Sequence, residues 1–168
     1  VIGLGLIGGS FCKAITKYTG HTVLGYNRTL ATAQKALAEG SIQQIITLDE
    51  LDQADLTMVC LHPVQTIEFL LDHKEDFAKG SIVIDASGVK ESVLDAVDRP
   101  LKEAGVRFVG CHPMAGREYS GYDYTLDSLF IGASFILTPT SLTDPAAVDV
   151  VEQLAKEVGF GQTVRATP

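Results

Sequence analysis

Two rhythms of apolar residues alternate along the chain. Short, nearly continuous apolar runs read as strands buried on both faces. Longer stretches with apolar residues three and four apart read as amphipathic helices. The runs are VIGL (1–4), TVLGY (22–26), DLTMVCL (55–61), SIVIDA (81–86), VRFVG (106–110), SFILTP (134–139) and GQTVRAT (161–167), with a weaker one near Ile45–Ile46. Between them the helical rhythm predicts helices from Ile7 to Tyr18 and over 29–40, 64–77, 90–97 and 144–159, with a short helical turn at LDELDQ. Gly40 suits the position just past the second helix, the third begins just after Pro63, and Asp144 and Pro145 suit the start of the last. Strand and helix in alternation predict an α/β fold, a doubly wound, mostly parallel sheet with helices on both faces. The least regular stretch, Cys111 to Ala133, is long for a loop in a compact domain.

One junction carries a motif. Gly3, Gly5 and Gly8 stand in GxGxxG spacing between the first strand and the first helix. There the first glycine permits a tight turn and the second lets the backbone approach a pyrophosphate. The third lets helix and strand pack closely, and the helix N-terminus, with Leu6 and Ile7, faces the phosphates. This predicts a Rossmann-type dinucleotide site. About 20 residues on, where NAD sites place an acid for the ribose hydroxyls, the chain reads Asn27, Arg28, Thr29. An amide, a guanidinium and a hydroxyl welcome a 2′-phosphate, which tilts the cofactor towards NADP. NAD stays open if Arg28 stacks on adenine or points to solvent while Asn27 holds a 2′-hydroxyl.

Composition narrows the field. A net charge of -8 argues against a nucleic acid or an anionic membrane as partner, and no apolar run approaches a membrane span. Cys12, Cys60 and Cys111 have no disulfide or metal-ligand spacing, so no metal is expected and a reducing, cytoplasmic compartment is. The chain opens with its first strand already under way and stops at VRATP, which reads as a trimmed single domain, 1–168.

Ligands of such a sheet bind beyond the carboxyl ends of its strands. There MVCLHP presents His62 and Pro63, VIDASGVK presents Asp85, Ser87 and Lys90, and FVGCHP presents His112. Hydride transfer from an alcohol needs a group to take the hydroxyl proton, and histidine suits it. His21 and His73 belong elsewhere, one at the opposite end of the sheet and one on a polar helix face. His62 is either a structural residue before Pro63 or, with Pro63, part of the nicotinamide pocket. Lys90 and Arg117 are the obvious cations on this edge, few for a substrate with two carboxylates.

VIGLGLIGGS, DASGVK, GCHPMAGREYSG and LFIGASFILTP together resemble the dinucleotide-binding domain of prephenate dehydrogenases, including the related arogenate enzymes, across essentially the whole chain. The resemblance implies NAD(P)-dependent oxidative decarboxylation of prephenate to 4-hydroxyphenylpyruvate, in tyrosine biosynthesis. It makes His112 the catalytic histidine, and Glu118 and Ser120 residues that shape or gate the pocket. It also implies a further helical domain that forms a homodimer and supplies an arginine for the substrate carboxylate. Many members have a serine directly before VK. Here that position is Gly88, with Ser87 one residue earlier, so both are substrate-pocket candidates and the support of His112 is open. Arogenate dehydrogenase is the alternative, and a non-catalytic dinucleotide sensor the remote one.

Overall fold

A computed structural model describes all 168 residues. Its helices are α1 (Leu6–Tyr18), α2 (Leu30–Ala38), α3 (Pro63–His73), α4 (Glu91–Glu103) and α5 (Pro145–Glu157). Its strands are β1 (Leu24–Gly25), β2 (Gln44–Ile45), β3 (Leu56–Val59), β4 (Ile82–Asp85), β5 (Arg107–Met114), β6 (Ser134–Thr138) and β7 (Gln162–Arg165). β3, β4 and β5 run parallel; β6 is antiparallel to β5, and β7 is parallel to β6. Ile2 joins this sheet to the β1–β2 pair by bridging Tyr26 on one side and Val59 on the other. The spatial order is therefore β2, β1, Ile2, β3, β4, β5, β6, β7, and the chain reverses direction of travel across Ile2.

Alternation along each strand feeds two cores. Ile82 and Ile84 point into one and Val83 into the other; Val109 and Phe108 divide likewise. The first core packs α1, α2 and α5 and holds stacked Phe11, Phe130 and Phe160. The second packs α3 and α4. Helices thus cover both faces, as the continuous apolar strands require. All three cysteines are free, and burial pushes Cys12 up to about 11 and Cys60 up to about 12. No helix is long and apolar enough to cross a membrane.

Several predicted boundaries move; α3 ends at His73 rather than 77, and the strand at 22–26 narrows to Leu24–Gly25. The first strand shrinks to the bridge at Ile2, because Gly3 already turns at φ +86°. α4 runs past position 97 and through Pro100 to Glu103, held by buried Val97 and Leu101, and ends before Gly105 at φ +80°. β5 does not stop at Gly110. Its parallel ladder with β4 ends at Val109, but Gly110–Met114 go on to pair with Thr138–Ser134 of β6. Pro113 is tolerated because its nitrogen faces the side where β4 has already ended, so no ladder hydrogen bond is forfeited. Cys111 to Met114 are strand, not loop.

Candidate active site

The three glycines of the motif meet different surroundings. A Cβ on Gly3 would lie 2.7 Å from the Cys60 carbonyl oxygen, and one on Gly8 only 1.9 Å from the Gly3 oxygen. Both positions are closed to any side chain. A Cβ on Gly5 would meet nothing within 4 Å. Gly5 is the N-cap of α1, with no side-chain cap and no acid in the first turn. The N–H groups of Leu6 and Ile7 open that helix beside this gap, an arrangement that fits a pyrophosphate. Cys60 and Leu61, leaving β3, form the other wall of the turn. The loop therefore lies at the crevice between Ile2 and β3, where the sheet order reverses.

Asn27 has a job within the protein. Its Oδ1 accepts the Leu4 N–H at 2.9 Å, and its Nδ2 donates to the Thr29 carbonyl at 3.1 Å. The amide staples the glycine loop to the end of β1. Arg28 and Thr29 are exposed beside it.

β4 and β5 build the other half of the edge. Asp85 is 1 % exposed. Its Oδ1 accepts the Cys111 N–H at 3.1 Å. Its Oδ2 accepts the Ser87 N–H at 3.2 Å, the Ser87 hydroxyl, and the Lys90 ammonium. Lys90, its side chain 10 % exposed, also donates to the Cys111 carbonyl at 2.6 Å. His112 follows at once, half-buried. Burial, and then the charge of Lys90, hold its pKa below the ordinary imidazole value, while Asp85 pulls the other way. The shift favours the neutral ring, the form that accepts a proton. Gly88 lies against it: a Cβ there would be 3.4 Å from His112 Nε2.

The sequence candidates sort accordingly. His112 and Gly88 meet on the same edge as the glycine loop. Ser87 does not join them, because its buried hydroxyl is turned to Asp85. His62 is exposed at the N-cap of α3, makes no cap hydrogen bond there, and precedes Pro63 in the first turn. Glu118 and Ser120 are exposed on the segment after β5. His21 and His73 pair with Glu157 and Asp76, away from this edge.

Sequence reasoning missed how that segment is held. Tyr122 Oη hydrogen-bonds Ser41 Oγ at 2.7 Å and Glu39 at 3.0 Å. The Leu126 N–H reaches Ser10 Oγ of α1 at 3.1 Å, and Lys35 pairs with Asp123 at 2.6 Å. These partners lie far apart in the chain, and no local signal joins them.

A family model described as the prephenate dehydrogenase nucleotide-binding domain matches residues 11–163. The chain belongs to that family. A curated prephenate dehydrogenase from Bacillus subtilis is 33 % identical over 158 residues, which is 92 % of this chain and 42 % of that protein. The crystal structure of prephenate dehydrogenase from Aquifex aeolicus in complex with hydroxyphenyl propionate and NAD+ matches with a TM-score of 0.85 at 27 % identity, covering 99 % of this chain and 58 % of that one. Synechocystis arogenate dehydrogenase matches with a TM-score of 0.89 at 28 % identity, over 99 % of this chain and 58 % of that one. The chain thus spans about half the length of these relatives.

Proposed function

We propose that this chain is the cofactor-binding part of an NAD(P)-dependent enzyme that converts prephenate to 4-hydroxyphenylpyruvate and carbon dioxide. The reading rests above all on His112: a half-buried imidazole, its pKa lowered by burial, on the same sheet edge as the glycine loop. A nicotinamide dinucleotide, when bound, supplies the hydride acceptor. The first N–H groups of α1 would hold the pyrophosphate, and Gly5 leaves the backbone bare for its approach. His112 would take the proton of the ring hydroxyl at Nε2, the nitrogen facing Gly88, as hydride and carbon dioxide leave, and return it to the phenolate oxygen of the aromatic product. Glu118 and Ser120, exposed on the segment after β5, shape or gate that pocket, and His62 and Pro63 border the nicotinamide. Ser87 supports the site through Asp85 rather than touching substrate. Exposed Arg28 and Thr29, with no carboxylate beside them, favour NADP. A homodimeric cytoplasmic enzyme belongs to the same reading, and the three free thiols suit a reducing compartment.

In the full-length enzyme, His112→Ala should lower kcat by about 10²- to 10⁴-fold, the usual worth of a positioned acid–base group, and leave dinucleotide affinity within a few-fold. Steady-state kinetics and calorimetric titration test this together. Turnover near wild type would remove His112 from the role. The likeness to an arogenate dehydrogenase makes arogenate the second substrate to assay, and the larger kcat/KM decides between them.

A further inference from the structure

Residues 110–114 leave β4 behind while carrying His112 to the site. On the β6 side they have a strand partner; on the β4 side the ladder has ended at Val109. Cys111, wholly buried, has both of its backbone polar groups on that bare side, and both are taken by a charge pair. Asp85 accepts its N–H at 3.1 Å, and Lys90 donates to its carbonyl at 2.6 Å. The two side chains are bound to each other, and Ser87 fills the remaining valence of the carboxylate. Gly88 brings no side chain to the ring.

We propose that Asp85 and Lys90 are positioning residues that clamp the peptide groups on both sides of Cys111 and thereby fix His112 for proton transfer. The proposal rests on the reading of His112 as the proton acceptor. It accounts for a buried ion pair next to, but not in, the reacting pocket. A buried pair is a poor source of stability compared with packed apolar residues, so its retention calls for another use. Here it replaces the missing ladder with charge-assisted hydrogen bonds, which are shorter and stronger than neutral ones. It also sets the field at the imidazole. Lys90 disfavours the imidazolium and Asp85 favours it, and the lysine effect is the larger.

The test uses Lys90→Met and the double variant Asp85→Asn/Lys90→Met in the full-length enzyme. The double variant leaves no lone buried charge and keeps an oxygen for the Cys111 N–H, so it guards against a failure of the single variant to fold. Both should lower kcat about 10- to 100-fold, the scale of a misplaced catalytic group, with KM for prephenate and dinucleotide affinity within about threefold. NMR titration of the His112 ring, without substrate or cofactor, gives a second readout. The imidazole pKa should rise most in Lys90→Met, where Asp85 acts unopposed, and less in the double variant. The acid limb of kcat/KM should follow the same order. A folded variant with wild-type kcat and an unmoved imidazole overturns the clamp. If the imidazole moves as expected but His112→Ala retains turnover, the clamp stands as structure and the proton-acceptor reading is what fails.

Discussion

At the level of single residues, Asn27 and Arg28 divide a task that their spacing alone suggests they share. The amide of Asn27 is engaged by Leu4 and Thr29, so it fixes the turn of the glycine loop. Arg28 and Thr29 are exposed beside it, where the proposed function puts the ribose. Arg28→Ala should therefore weaken NADP binding about tenfold, roughly the worth of one charge-assisted hydrogen bond at an exposed site, and leave NAD within about twofold. Calorimetric titration with both dinucleotides checks it. Equal losses would mean that Arg28 contacts a part common to both cofactors. Spacing sufficed for the glycines, since close packing at Gly3 and Gly8 and the open face at Gly5 follow from strand–turn–helix geometry. It did not suffice for Ser87. A hydroxyl next to Gly88 looks like a substitute for a missing serine, yet successive residues point apart, and the buried carboxylate two positions earlier captures it.

At the level of elements, the segment after β5 is positioned by α1 and α2 rather than by its own conformation. Tyr122 and Thr125 rest on Gly9 of α1, where a Cβ would lie 2.6 Å from Thr125 Cγ2 and 2.8 Å from Tyr122 Cδ2. Gly9→Ala should push this turn off the helix and loosen the Tyr122–Ser41–Glu39 contacts. The expected cost is about 1 to 3 kcal/mol, as for other overpacked sites. Gly116→Ala is the control: its Cβ meets nothing within 4 Å and its φ is not positive, so stability should stay within about 0.5 kcal/mol. Urea unfolding of both variants measures the difference, and a Gly9→Ala protein as stable as the control would detach the segment from α1. Alternation of strand and helix was legible throughout, because apolar period depends on local sequence. The extents of α4 and β5 were not. Pro100 and Pro113 are local stop signals, overridden by burial of Val97 and Leu101 in one case and by pairing with β6 in the other. Such contacts are made by residues distant in the chain, which periodicity does not register.

At the level of the whole molecule, the doubly wound order brings two separate stretches to one crevice, and the charges there set what it can hold. The glycine loop sits where the order reverses across Ile2, and His112 rides on β5 along the same carboxyl edge. Prephenate carries two carboxylates, which call for cations. Lys90 is bound to Asp85 and the Cys111 carbonyl, and Arg117 donates to the Tyr124 carbonyl at 2.9 Å. Arg28 follows β1, across Ile2 from β5, and the net charge of -8 repels a dianion at long range. Nothing in these residues offers a free, paired-donor grip on the substrate. Residues 1–168 by themselves should therefore bind dinucleotide with ordinary affinity but turn prephenate over at least about 10³-fold more slowly than a full-length enzyme, because an unanchored substrate forfeits orientation as well as affinity. Calorimetry with the dinucleotide, alongside an absorbance assay for its reduced form, separates the two properties. Turnover within about tenfold of the full-length enzyme would show that the crevice anchors prephenate without further cations, through His62 or Ser120, and would shift the search for specificity back onto this sheet edge.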